Sequence, residues 1–297
     1  MMADYPDIAT PVRTQAIMNQ YGIATKKSLG QNFLTDLNIL HNIVAAAELT
    51  DADNVVEIGP GIGALTEQLA KVAGKVLAFE IDDRLIPILA DTLSPYDNIT
   101  VLHKDILDVN LPATLTEQFG TGAPLKLVAN LPYYITTPIL MNVLKSGVAF
   151  DNIVVMMQKE VADRLSAKPG TKDYGSLSIV VQYRMNAEVA FIVPRTAFIP
   201  QPNVDSAIVK LTKREPLEVL PFDENSFFKF VKASFVHRRK SYWNNLTVYF
   251  GKDDATKEKI MEALAIANVD PKIRAEKLSL ETFIELTNAF HEVGLLQ

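Results

Sequence analysis

Five short apolar runs, Asn54–Ile58, Val76–Ile81, Ile99–Leu102, Leu125–Ala129 and Ile153–Met157, recur through the first half of the chain, separated by segments of helical period. Runs of this length, rich in Val, Ile and Leu, suit strands buried on both faces. Alternating with helices, they predict a parallel, doubly wound α/β sheet. Ahead of the first run, Leu37, Leu40, Val44 and Ala47 fall on one helical face behind the capping candidates Thr35 and Asp36. The stretch Lys26 to Leu34 is polar, contains glycine and has no period.

After Met156 the pattern changes. Lys168 to Ser176 carries Pro169, Gly170 and Gly175 and reads as a mobile, turn-rich segment. Further strands are expected around Ile179–Tyr183 with Ala187–Ile192, and around Ala207–Leu211. From Pro221 onward the period is helical: Phe227, Val231 and Phe235, then Ile260, Leu264 and Ala267, then Leu280 to Phe290. A chain of 297 residues exceeds one ordinary core, and Pro216 and Pro221 interrupt both patterns. The expected division is an α/β domain over residues 1–215 and a small all-helical domain over 216–297.

Composition excludes several chemistries. There are no cysteines, so disulfides, thiolate metal sites and cysteine nucleophiles are ruled out. The four histidines, His41, His103, His237 and His291, lack ligand spacing, and no metal is expected. Met1 to Gln15 holds charges and two prolines but no apolar stretch of signal or membrane length, so a soluble, cytoplasmic protein without membrane contact is expected. A net charge of −6 argues against a surface that grips nucleic acid everywhere. Basic residues nevertheless gather at Lys26-Lys27, at Lys168 and Lys172, and most densely at His237-Arg238-Arg239-Lys240. Such a run is either a solvated face or a local phosphate contact.

The first strand runs into Glu57-Ile58-Gly59-Pro60-Gly61-Ile62-Gly63-Ala64, a glycine-rich turn leading to a helix. Glycines let the backbone approach a ligand, and the helix start favours negative groups. Gly59-x-Gly61-x-x-Ala64, with Glu80 about twenty residues on, also satisfies a dinucleotide fingerprint. The loop by itself fits either NAD or S-adenosyl-L-methionine. Three carboxylates favour the cationic cofactor: Glu57 within the first strand, Glu80 ending the second and Asp105 closing the third. A dinucleotide pyrophosphate gains nothing from a carboxylate such as Glu57 near its phosphates.

The fourth strand leads into Asn130-Leu131-Pro132-Tyr133. The exocyclic amine of adenine is a poor nucleophile because its lone pair is delocalised into the ring. A side-chain amide oxygen and a backbone carbonyl can accept its two N–H bonds and draw the nitrogen toward tetrahedral geometry. Pro132 stiffens the turn, and the Tyr133 ring offers a flat base a surface. Read alone, the same four residues are also an ordinary turn ending a strand.

Six segments resemble, in order, the small-subunit rRNA adenine N6,N6-dimethyltransferases. They are Lys27-Ser28-Leu29-Gly30-Gln31-Asn32-Phe33-Leu34, the Glu57–Thr66 loop, Asn130-Leu131-Pro132-Tyr133-Tyr134-Ile135, the segment from Gln158 to Leu165, Phe198-Ile199-Pro200-Gln201-Pro202-Asn203-Val204-Asp205-Ser206-Ala207, and Arg274 to Leu280. The resemblance implies a class I, Rossmann-like methyltransferase fold with a small helical C-terminal domain. It implies that four methyl groups pass from S-adenosyl-L-methionine to two adjacent adenines in the 3′-terminal hairpin loop of 16S rRNA, within an assembling 30S subunit. By carry-over, Gly59 and Gly61 line the cofactor cleft, Glu80 holds its ribose, Asp105 its adenine, and Asn32 and Leu34 cover it. Asn130, which also borders the cofactor, and the Leu131 carbonyl hold the target amine. Tyr133 and Phe198 sandwich the flipped base, repaying an unstacking cost of a few kcal/mol. Lys26, Lys27, Arg238, Arg239 and Lys240 are the expected RNA contacts, and the protein is expected to act as a monomer. Trp243 stands where the family often has a basic residue.

Three competing functions remain on the sequence alone. Large-subunit (23S) rRNA adenine methylases of the macrolide-resistance type share the glycine loop and the Asn-Leu-Pro-Tyr motif, but are generally shorter and more basic. An NAD-dependent dehydrogenase would rest on the glycine fingerprint. A non-catalytic assembly factor is compatible with either RNA reading.

Overall fold

A computed structural model describes residues 6–23 and 32–297. Among the described residues are nine strands: β1 (Phe33–Leu34), β2 (Asn54–Ile58), β3 (Lys75–Glu80), β4 (Ile99–His103), β5 (Leu125–Asn130), β6 (Asn152–Gln158), β7 (Met185–Val193), β8 (Phe198–Ile199) and β9 (Ser206–Lys213). Seven form one sheet in the order β4-β3-β2-β5-β6-β9-β7. The pairs β2–β3, β3–β4, β2–β5 and β5–β6 are parallel, and β9 joins β6 antiparallel. All five apolar runs became strands of the parallel region, as burial on both faces requires: every residue of β2 is buried, and Leu127, Val128 and Ala129 fill the middle of β5.

The strand order reverses between β2 and β5, and there the sheet opens. Pairing of β2 with β5 stops at Val56 and Leu127, whereas β2 stays paired with β3 as far as Ile58 and Phe79, and β5 with β6 as far as Asn130 and Met156. The next residues follow their outer neighbours too: the Gly59 amide donates to the Phe79 carbonyl (2.9 Å) and the Leu131 amide to the Met156 carbonyl (3.1 Å). The carboxyl ends of β2 and β5 therefore part. In open α/β sheets such a switch point is where ligands bind.

Two elements frame that opening. The helix Leu37–Ala46 is capped as expected by Asp36, whose side chain accepts from the Asn38 and Ile39 amides. β1 and β8 make a separate two-stranded antiparallel sheet, pairing Phe33 with Ile199 and Leu34 with Phe198. Phe33 and Leu34 thus pair with a piece of chain more than 160 residues away.

The structure corrects the sequence reading in three places. Ile179–Tyr183 is not a strand but lies in the helix Ser176–Arg184, and only Met185–Val193 continues as a strand. A short β-branched run has no decisive period, and packing settled it as helix: Ile179 and Tyr183, four apart, are buried together. Second, the chain does not divide at 215/216. One unit comprises the described residues up to Ala162 with Ala187–Lys213, and the other Asp163–Asn186 with Arg214–Gln297. The reason is a shared core: Tyr174, Ile179 and Tyr183 pack in one cluster with Phe227, Phe230, Val231 and Phe283. Third, the turn-rich Lys168–Ser176 segment is tied down, with Tyr174 only 1% exposed and the Gly170 amide donating to the Glu276 carbonyl at 2.6 Å. Within this second unit the helix Glu224–Ser234 buries Phe227 and Val231, Asp254–Ile266 buries Ile260 and Leu264, and Leu280–Glu292 buries Leu280 and Phe290, as their period assigned, while Phe235 and Ala267 lie just past the helix ends and are partly buried.

Gly63 caps the helix Ala64–Ala70 with φ +92°, and a Cβ there would lie 2.9 Å from Leu93 Cδ2. Gly63→Ala combines left-handed strain with overpacking and should destabilise the protein by about 1–3 kcal/mol. A chemical denaturation midpoint unchanged from wild type would contradict this account of the turn.

Candidate active site

A cavity opens where β2 and β5 part. Its walls include the glycine turn, the ends of β2, β3 and β5, the segment after β4, and Asn32, Phe33 and Leu34. Gly59 and Gly61 both have positive φ, 71° and 63°. Gly61 also lies against Phe33, whose ring carbon would be 3.3 Å from an added Cβ. The turn therefore keeps its backbone bare toward the cavity while the aromatic ring of β1 covers its flank.

Three carboxylates line the same space: Glu57, Glu80 and Asp105. Glu57 is 1% exposed, and its Oε2 has no hydrogen-bond partner among the described residues; the same holds for the hydroxyl of the fully buried Thr66. Burial is the main cause that pushes the Glu57 carboxyl up to about 8, with the nearby Thr66 hydroxyl opposing the rise and the charge of Glu80 adding to it. Glu80 is also raised by burial, but it is well held: Oε1 accepts from the Ile81 and Asp82 amides, both at 2.8 Å, and Oε2 from the Gly61 amide at 3.3 Å. Asp105 accepts from the Leu107 amide at 2.9 Å through Oδ1. The hydroxyl of Tyr134 is shifted up by burial and then by Asp105 and Glu80, so both acids act on one wall of the cavity. The region is electronegative and suits a cation.

Across from them stands the turn after β5. Asn130, Leu131, Pro132 and Tyr133 all line the cavity. Among the described residues neither the Asn130 side-chain amide nor the Leu131 carbonyl is engaged by another group. The Pro132 carbonyl, by contrast, is committed, accepting from the Ile135 amide (3.2 Å) and the Thr136 hydroxyl (2.8 Å), which starts the next helix. The Tyr133 hydroxyl bonds that of the fully buried Ser206 at 2.5 Å. Ser206 begins β9, so the Val204-Asp205-Ser206 motif fixes the tyrosine of the Asn-Leu-Pro-Tyr motif. Burial raises the Tyr133 hydroxyl, which keeps it neutral and able to donate.

Not every expected residue reaches this place. Phe198 is 3% exposed, packs in the main core and does not line the cavity. Its register partner Leu34 does line the cavity. A phenylalanine in a two-residue strand pointing into a core is held there by the apolar area it hides. Lys26 and Lys27 lie outside the described residues. Arg238, Arg239 and Lys240 are exposed, in the helical unit. Sequence reasoning missed Ile81 and Ile106, each the residue after a lining carboxylate, and both line the cavity. The repeated acid-then-isoleucine pairing at successive strand ends was the available signal. Among the described residues no group of three or more His, Asp or Glu could hold a metal ion, and no helix is long and apolar enough to cross a membrane.

Known structures with this architecture are class I methyltransferases. A dimethyladenosine transferase from Plasmodium falciparum superposes with a TM-score of 0.72 at 26% identity, covering 89% of this chain and 98% of that one. The 23S rRNA methyltransferase ErmE gives 0.64 at 27% identity, covering 88% and 100%. The sequence narrows the class. Residues 22–292 match the family model described as ribosomal RNA adenine dimethylase, and the chain belongs to that family. It is 64% identical to the ribosomal RNA small subunit methyltransferase A of Lactiplantibacillus plantarum over 100% of both chains, and 63% identical to that of Ligilactobacillus salivarius over 99% and 100%.

The buried Glu57 makes stability pH-dependent in a defined direction. A carboxyl raised from 4.5 to about 8 by folding holds its proton more tightly in the native state. Its favourable contribution is complete below pH 4.5 and is lost as pH rises through about 8. Glu57→Gln, neutral at every pH, should therefore gain in melting temperature relative to wild type progressively across this window, then level off. A difference independent of pH would show that Glu57 is ionised in the folded protein.

Proposed function

We propose that the protein dimethylates N6 of adenines in small-subunit (16S) rRNA, using S-adenosyl-L-methionine, with a 30S assembly particle as its substrate. One observation carries the reading. The Asn130 amide and the Leu131 carbonyl, both without a partner among the described residues, line the same cavity as the glycine turn and the three carboxylates. Two acceptors a few bonds apart match the two N–H bonds of one exocyclic amine.

The residues fit the cofactor. The unpartnered, buried Glu57 oxygen suits the ammonium of its amino-acid end, Glu80 suits a ribose diol, and Asp105 an adenine amine. Bound there, S-adenosyl-L-methionine would supply a methyl group made electrophilic by its sulfonium. The chain's own part is positioning. Asn130 Oδ1 and the Leu131 carbonyl accept from the adenine amine, directing its lone pair, and the proton of the product can leave to water, so no general base is needed. Tyr133, its ring held by Ser206, gives the extruded base a stacking face worth about 1–3 kcal/mol. Phe198 packs in the core as the register partner of Leu34 in the β1–β8 pair beside this arrangement. Phe33 and Leu34 shield the cavity from water.

The full-length identities of 63–64% to small-subunit enzymes favour 16S over 23S rRNA, for which the structural match stands at 27%. Primer extension across the 3′ end of small-subunit rRNA, with and without the protein, tests this directly. Asn130→Ala should lower single-turnover methylation of 30S particles by about 10²–10³, by analogy with loss of one preorganised polar group. Its cofactor affinity by calorimetry should stay within a few-fold. Unchanged turnover in that variant would remove Asn130 from the reaction.

A further inference from the structure

The basic run at Arg238-Arg239-Lys240 is not three equivalent cations. Arg238, though its side chain is 41% exposed, is already paired within the helical unit. Its Nε donates to Glu276 Oε2 at 3.0 Å, and its Nη2 donates to the carbonyls of Thr171 (3.4 Å) and Lys172. An arginine has five N–H donors in one rigid fork, and the edge used here faces the protein. Its charge is matched by Glu276, whose side chain is 19% exposed.

The same contacts hold a turn. The Gly170 amide donates to the Glu276 carbonyl at 2.6 Å, and Lys277 Nζ reaches the Gly170 carbonyl at 3.5 Å. Thr171 closes the turn on itself, its amide and hydroxyl both donating to the Lys168 carbonyl. Tyr174 anchors the end of the turn in the core and meets Phe235 edge-on, with ring centroids 6.3 Å apart. The segment carrying Arg238 is fixed as well: Asn245 accepts from the His237 amide (2.9 Å) and donates to its carbonyl (3.3 Å). Three stretches distant in sequence thus meet around one ion pair. Lys168, Lys172, Arg239 and Lys240 remain exposed, with no ion pair among the described residues, and Asp173 is the acid within the turn.

We propose that Arg238 is a positioning residue: with Glu276 it clamps the Lys168–Gly175 turn so that Lys168, Lys172, Arg239 and Lys240 form one cationic platform for the phosphate backbone of rRNA. The inference rests on the RNA-directed reading above. A neutralised arginine contributes little to counterion release, whereas each free cation on a phosphate steepens the salt dependence by roughly 0.7–0.9 in logarithmic slope. Glu276→Gln separates the two roles by sign. If charge alone mattered, removing a carboxylate beside this platform would tighten binding; if Glu276 is half of a clamp, binding weakens.

The test measures affinity of the full chain for 30S particles from a strain lacking the protein, across salt concentrations, alongside limited trypsin cleavage after Lys172 without RNA. Glu276→Gln, Arg238→Ala and the charge-preserving Arg238→Lys should each weaken binding about three- to tenfold, as coupled members of one network do. Each should also accelerate cleavage after Lys172. Arg239→Ala should flatten the salt slope and leave that cleavage unchanged. Glu276→Gln protein that binds as tightly as wild type or tighter, or cleavage after Lys172 that none of the three clamp variants accelerates, overturns the clamp. Wild-type protein that fails to bind the particles overturns the rRNA platform and the functional reading with it, a result distinct from intact binding with an insensitive turn.

Discussion

The site depends on two strands letting go of each other. β2 and β5 are neighbours, yet each holds longer to its outer partner, and the pairing between them ends at Val56 and Leu127. Every backbone group past that point must find another partner, and the bonds of Gly59 to Phe79 and of Leu131 to Met156 supply two of them. The cavity is therefore opened by the strand order itself. The glycine turn and the Asn-Leu-Pro-Tyr turn face each other because they leave the two strands on either side of the gap.

Electrostatics then gives the cavity a direction. One wall carries Glu57, Glu80 and Asp105; the other offers acceptors on Asn130 and Leu131 and a half-buried tyrosine. Glu80 is satisfied by three backbone amides, but Glu57 is left with a buried oxygen that nothing described bonds. An unpaired buried carboxyl is costly to the free protein unless it stays protonated, which is why burial raises it. A cationic ligand would offset that cost, so a group whose burial disfavours its charge in the free protein suits binding of a cation. Family membership and the full-length relatives agree with such a ligand, and a dinucleotide pyrophosphate would meet repulsion here.

Much of this was legible because short-range chemistry determined it. The Val- and Ile-rich runs, the Asp36 cap and the three carboxylates needed only period and spacing to be found. The helix Ser176–Arg184 was misread because Ile179, Val180 and Val181 suit a strand equally well, and only contact with Phe227 and its neighbours decides between them. Phe198 was placed by motif at the cavity, and only the fold shows that it is 3% exposed and paired with Leu34, which lines that cavity. Arg238 read as a surface cation, since nothing local shows that Glu276 and Lys172 lie beside it.

The sequence by itself determined the alternating strands and helices of the parallel region, the acidic residues at the strand ends and the four-residue turn after the fourth run. Those follow from alternation, period and residue type, which act over a few positions. Only the tertiary structure decided where the sheet parts, that Asp163–Asn186 belongs with the helical unit, that Ser206 holds Tyr133, and which arginine of the basic run is already paired. Each of these is a contact across tens to hundreds of residues, and burial and hydrogen-bond satisfaction select such contacts over the whole fold at once.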